Sequence, residues 1–430
     1  MRYNQNIETT ETLFSISRSK DPFVKSLGSV TQSVCIVSFF LLLSLFVLQG
    51  SQQFALAQPD QAPSLSQAAN PNEDVIKGIH LLYNRRFDEA EVIFRKVIAE
   101  FPDKPIGYFY SAMVMWSRYA AGFCSAEIVN EYLKRVDRTI DVAKTHIEDS
   151  NSPDYYDFFY MGGALGFKGR FNLSEGNWLS AFLLATESIE ALKTSLRMHP
   201  NNRDVLLGIG IFDYYTANLS GVLKFLSYLL IHKGNKEEGI KKLRLAAKEA
   251  IYSETEAKNT LLHIYLFFEQ DYLNALELAY ELAAEYEHNP RFKVLEGVCY
   301  IRLGNETQFR QTVRYFRQRS LQANPEYDAR LWARRALYLE SIHDLFHSRY
   351  AEARIKVEEI LNHADPEHDP AMIAWPLLKM GISYDLEDNR QEAIKYYNQI
   401  LCLKNASGAQ FLAKKYLDNQ VRKKDPFIGY

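Results

Sequence analysis

The sequence predicts an all-α protein, an α-solenoid of stacked helix–turn–helix units. Apolar residues recur at spacings of three and four, as in Ile93, Phe94, Val97, Ile98 and Phe101, which is the period of a helix buried along one face. The 430 residues include only 20 Gly and 14 Pro, too few punctuating residues for a strand-and-turn protein. Alternating β-branched runs bounded by Asn-Gly turns, the signature of hairpins, do not occur in the sequence. With 47% hydrophobic and 24% charged residues, the chain is neither mainly disordered nor a disulfide scaffold. Its length exceeds one compact core, a limit that a solenoid escapes because each unit packs only on its neighbours. A net charge of −3 supplies no overall field for nucleic acid.

The chain divides into four expected regions. Residues 1–57 read as a signal peptide or an uncleaved anchor. Val34 to Leu48 are fifteen uncharged residues preceded by Arg18, Lys20 and Lys25 and followed by Ala55-Leu56-Ala57. That apolar run is short for a bilayer span and suits a secretory signal cut before Gln58. Residues 31–57 crossing the membrane obliquely are the alternative, and would be the chain's only membrane contact. Residues 58–73 are rich in Pro, Gln, Ser and Asn and read as a flexible linker. Residues 74–216 form an N-terminal helical region and 217–425 a C-terminal repeat array. The expected location is exported, periplasmic or secreted. The mature part would keep Cys124, Cys299 and Cys402, each expected to pack in a helix interface as a small hydrophobe.

The first repeat unit carries Gly78, Ala90, Phe94 and Pro102. Gly78 and Ala90 stand where two helices touch, Phe94 fills the space beside them, and Pro102 ends the second helix. Near the other end, Gly381, Tyr384, Ala393 and Tyr397 repeat the register. Between them the small-residue slot passes through Gly239, Ala275, Phe309 and Ala353 in steps of 36, 34 and 44 residues, then 40 to Ala393. The spacing resembles the tetratricopeptide (TPR) repeat, a 34-residue helix–turn–helix unit.

The region 105–216 is less regular. Helices are expected over about 106–121 and 125–148, then a unit from Asp154 to Met198 with a stretched turn from Lys168 to Asn177. Gly210 to Tyr215, Lys224 and Gly234-Asn235 resemble a family of exported bacterial TPR proteins, which implies the fold and no specific activity.

No catalytic signature appears, neither His-Glu-x-x-His nor Gly-x-Ser-x-Gly, and no metal or cofactor is expected. Gly162 to Gly169 are glycine-rich but lack the phosphate-loop order, so they are expected to let helices approach. His363, Asp365, Glu367, His368 and Asp369 have metal-ligand chemistry, yet their spacing reads as a solvated loop.

Arg310, Arg314 and Arg317 share one helical face, followed by Arg334 and Arg335 with aromatic residues interleaved. Together with Tyr338 and Trp375 they are the candidate partner-binding residues, since arginine forks and aromatic planes hold carboxylates and apolar groups. The inner face of the array, read by register, offers Ile79, Leu82 and Tyr83, then Ile264, Phe267 and Phe268. It continues through Tyr338, Ile342 and Phe346 to Trp375, Leu378 and Ile382. This face would grip an apolar partner segment or be filled by the chain itself.

The expected function is a non-enzymatic protein–protein interaction scaffold of the cell envelope, binding other proteins and not nucleic acid. The alternative is an envelope protein that binds a small ligand or glycan, with or without hydrolytic activity. Its site would lie around Tyr155, Tyr156, Trp178, Tyr214 and Tyr215, with Asp213 as the acid.

Overall fold

A computed structural model describes residues 72–150, 152–217, 234–323, 326–403 and 408–430. Every regular element among these residues is helical. Eight antiparallel helix pairs follow one another. They are α1 (Asn72–Tyr83) with α2 (Phe87–Glu100), α3 (Pro105–Ala120) with α4 (Ala126–Asp149), and α5 (Tyr155–Ser174) with α6 (Trp178–Met198). Next come α7 (Val205–Ala217) with α8 (Lys236–Glu249) and α9 (Glu254–His263) with α10 (Tyr272–Glu285). The last pairs are α11 (Pro290–Arg302) with α12 (Glu306–Gln322), α13 (Glu326–Phe346) with α14 (Tyr350–Asn362), and α15 (Ala371–Leu386) with α16 (Arg390–Leu401). A single helix, α17 (Ala409–Asp418), and a 3₁₀ turn at Pro426–Gly429 complete the chain. The signal or anchor segment, the linker up to Pro71 and Lys224 lie outside the described residues.

The pairs close by a shared device. Arg85, Gly176, Gln270, Gly304, Ser348 and Asp388 have positive φ angles of 54° to 81° and stand in the turn between first and second helices. In each turn the following amide reaches back over the helix end. Arg86 bonds Leu81, Asn305 bonds Tyr300, Arg349 bonds Asp344 and Asn389 bonds Tyr384, each at 2.9 Å. This is the left-handed helix cap that satisfies an orphan carbonyl and reverses the chain. Asparagine or aspartate then often caps the second helix, as Asn305 does for Gln308 N and Asn389 for Glu392 N.

In the first and last pairs, and at the small-residue slots between them, the register is the one read from the sequence. A Cβ on Gly78 would lie 2.4 Å from the Phe94 ring, and one on Gly381 would lie 2.4 Å from Tyr397. Ala90, Ala275, Ala353 and Ala393 are fully or almost fully buried between helices. The absent side chain on one helix makes room for the aromatic ring on the next. Burying such a ring stabilises the unit by about 2–3 kcal/mol. This arrangement of glycine, alanine and aromatic slots is TPR-like.

Two expectations are corrected. The turn from Lys168 to Asn177 is not stretched, because α5 runs on to Ser174 and only three residues connect it to α6. Its glycines serve close packing, for a Cβ on Gly162 would lie 3.0 Å from the Ser188 carbonyl and one on Gly169 3.2 Å from that of Ala181. The cysteines do not share one setting. Cys299 is buried, Cys124 donates its thiol to Tyr119 O at 3.3 Å in the α3–α4 connection, and Cys402 is exposed beyond α16.

The solenoid curls enough for its first pair to touch later ones. The Tyr83 hydroxyl donates to Glu256 at 2.7 Å, the Asn289 side chain donates to Tyr83 O at 2.9 Å, and Tyr83 packs on Tyr286. Among the described residues no helix is long and apolar enough to cross a membrane.

Candidate functional site

The first helices of four consecutive pairs face one groove. Helix α9 continues as a π-helical turn, Ile264–Glu269, that ends on the left-handed residue Gln270. One extra residue per turn swings Phe267 and Phe268 toward the groove, and such insertions recur at functional sites. Helix α11 contributes Arg291 and Val298, α13 contributes Tyr338 and Phe346, and α15 contributes Trp375 and Lys379.

Residues 425–430 occupy this groove. The Phe427 ring stacks on Phe267 at 5.7 Å and meets Phe268 edge-on at 5.5 Å. Ile428 is 1% exposed. Gly429 passes so close to α11 that a Cβ there would lie 2.7 Å from Val298. Tyr430 packs on Trp375 at 4.5 Å and on Phe267 at 5.0 Å.

Polar groups fix the backbone. Lys379 Nζ donates to the Ile428 carbonyl at 2.7 Å and the Tyr338 hydroxyl donates to the Tyr430 backbone oxygen at 2.7 Å. Arg291 donates to the Tyr430 hydroxyl at 2.6 Å and to His263 Nε2 at 3.0 Å. His263 Nδ1 in turn donates to the Asn259 carbonyl at 2.7 Å. Both ring nitrogens are thereby used by a neutral imidazole. Burial and the Arg291 charge push the His263 pKa down to about 3. Lys379 is fully buried, and that burial lowers its pKa to about 7 against the opposing pull of Asp425.

The candidate partner residues fall into three settings. Arg310, Arg314 and Arg317 are exposed on α12 and line an open groove of about 340 Å³ with Glu340, Asp344 and Lys356. Arg310 pairs with Glu306 at 2.8 Å and Arg317 with Glu340 at 2.8 Å, while Arg314 has no ion-pair partner among the described residues. Arg334 and Arg335 are not surface anchors. They are 2% and 5% exposed and clasp Asp369, Arg334 at 3.0 Å and Arg335 through two bonds of 2.7 Å. Burial pushes the Asp369 carboxyl up, yet Arg335, Arg85 and Arg334 hold it below the usual range. Asp369 thereby leaves the loop cluster, whose Asp365 accepts from His368 at 3.1 Å. Among the described residues no three ligating groups gather for a metal. Tyr338 and Trp375 stand in the inner groove against residue 430.

The aromatic residues of the small-ligand alternative fall into separate pairs, Tyr155 against Tyr156 at 4.5 Å and Tyr214 against Tyr215 at 5.2 Å. Tyr155 stacks on His199 at 4.4 Å, while Tyr156 packs with Tyr160 and Tyr252. Trp178 is half exposed at the start of α6, and Asp213 is paired with Lys242 at 2.6 Å. Tyr214 donates to Glu269 at 2.6 Å. Tyr215 meets Phe268 at 5.8 Å and is 38% exposed, so it forms part of the groove rim. The contribution of residues 425–430 was missed by sequence reasoning. The run Asp-Pro-Phe-Ile-Gly-Tyr at 425–430 was the available signal, an apolar pair flanked by Pro and Gly after a charged stretch.

No protein-family model matches the chain, and no curated protein matches it. Among solved structures, the human IFIT1 dimer with PPP-AAAA is 15% identical, covering 77% of this chain and 72% of that chain, with a TM-score of 0.34. An IFIT1 monomeric mutant with Gppp-AAAA is also 15% identical, covering 84% of this chain and 80% of that one, with a TM-score of 0.30. The P58(IPK) TPR domain is 16% identical, covering 82% of this chain and all of that one, with a TM-score of 0.21.

Proposed function

We propose that this chain is a non-enzymatic scaffold that binds other proteins through the inner groove of a TPR-like solenoid. One observation carries the reading: the inner faces of α9, α11, α13 and α15 already hold a short segment of polypeptide, the 3₁₀ turn within residues 425–430, by aromatic stacking and bonds to backbone oxygens. A surface that grips a short segment by its backbone oxygens and by pockets for its side chains is a peptide-binding surface. The rim keeps exposed aromatic area for a partner, since Phe268 is 46% and Tyr215 38% exposed. The place of action is the cell envelope, supported by the uncharged run Val34–Leu48 and the Ala55-Leu56-Ala57 site.

The test is cross-linking and capture from envelope fractions with the full chain, comparing wild type with the double variant Tyr215→Glu and Phe268→Glu. A partner held by the wild type and lost by the folded variant supports the scaffold. Equal recovery from both chains removes the groove from the function.

A further inference from the structure

We propose that residues 425–430 are a displaceable occupant of the groove, and that the partner which displaces them is a peptide of the same pattern that takes up the same 3₁₀ turn. That pattern is an aromatic residue, an aliphatic residue, a glycine and a second aromatic residue. The inference rests on the scaffold reading and names the regulation and ligand chemistry of the same groove.

Three observations carry it. First, the segment is attached by a detachable connector. Val421 is buried, with its amide bonded to Asp385 at 3.2 Å, and Ile428 is buried in the groove. Between them Arg422, Lys423 and Lys424 are exposed, and their side chains have no ion-pair partner among the described residues. Leaving the groove therefore breaks the contacts of the segment and none of the connector's side-chain contacts.

Second, the walls stand on elements that are complete without the segment. Tyr338 lies on α13 and Trp375 and Lys379 lie on α15, helices whose other faces pack in their own pairs. Leu339, Ile342, Leu378 and Ile382 are fully buried there.

Third, the contacts are of a kind that a separate peptide reproduces. Each aromatic ring has its own partner, Phe427 on Phe267 and Tyr430 on Trp375. The glycine is selected by the approach to Val298. The two bonds from Lys379 and Tyr338 go to backbone oxygens, which every peptide has. A footprint of about five residues makes a small interface, so exchange is fast compared with a standard protein–protein contact.

The test uses the full chain, the variant Ile428→Arg, and a fluorescein-labelled synthetic peptide of sequence Lys-Asp-Pro-Phe-Ile-Gly-Tyr. A guanidinium brought beside the buried Lys379 amine has no carboxylate at bonding distance of that amine to meet among the described residues, so it expels the tethered segment and leaves the groove open. The variant is expected to bind the peptide at least tenfold tighter than the wild type. Unlabelled peptide should compete, and a peptide with Val in place of Gly should not. A variant with wild-type helix content that binds no tighter than wild type overturns the proposal. Should Ile428→Arg unfold, the milder Phe427→Ala replaces it. If that chain also loses its helix content, the segment is core and the proposal fails. Partner capture through Tyr215 and Phe268 is read separately, so the scaffold reading survives or falls on its own result.

Discussion

Among the described residues Lys379 is a cation without a carboxylate at bonding distance, held at zero exposure on α15 and bonded to one carbonyl. Its burial has a pH signature. The unfolded lysine keeps its proton up to the ordinary value of 10.5, whereas the folded one releases it near 7. Between those values the unfolded chain holds more protons, so stability rises with pH. Lys379→Met should therefore raise stability at pH 7, and the gain should shrink by pH 9.5. Urea midpoints of both chains at the two pH values check this, and a gain independent of pH contradicts it. Asp369 makes the opposite case. Its carboxylate neutralises two buried guanidiniums, so Asp369→Ala leaves them unpaired and should cost about 3–5 kcal/mol in urea unfolding. A cost under about 1 kcal/mol would mean the arginines find solvent. The sequence marked Arg334 and Arg335 as arginines in an aromatic stretch. It could not show that they turn inward, because their counter-charge comes from the loop before α15, and no local spacing encodes that pairing.

At the scale of the helix pair, most of the structure was legible in the sequence. Gly78 with Phe94 and Gly381 with Tyr397 are local contacts between neighbouring helices, set by the helical period, so a fixed offset reveals them. Gly381→Ala should drive a methyl into the Tyr397 ring and cost about 1–3 kcal/mol, read as a lowered melting temperature. Unchanged melting would mean the pair is looser than its geometry. The turns follow the same local logic. Gly304 has a φ of +69° with open space where a Cβ would stand, so Gly304→Ala isolates the backbone cost and should destabilise by about 1 kcal/mol. A neutral result would show that this turn adopts another conformation. The π-helical turn at Ile264–Glu269 was not legible, since its apolar run Ile264 to Phe268 suits an ordinary helix equally well. The inner face read by register nonetheless named Phe267, Phe268, Tyr338, Phe346 and Trp375, and all five meet residues 427–430.

Across the whole molecule, the sequence left open whether a partner or the chain itself fills the inner face. Residues 425–430 fill it, and the first pair closes toward α9 and α11 through Tyr83. Both contacts join residues far apart in sequence, where repeat spacing carries no information, because it reports only what each unit does to the next. The groove is proposed as a peptide-binding surface occupied by a segment of its own chain, and amide hydrogen exchange of the full chain, followed by mass spectrometry, is the test. Residues 427–430 should exchange slowly and 422–424 at once, and excess free Lys-Asp-Pro-Phe-Ile-Gly-Tyr peptide should speed exchange of 427–430 only. Immediate exchange across 422–430 in the absence of peptide would contradict it.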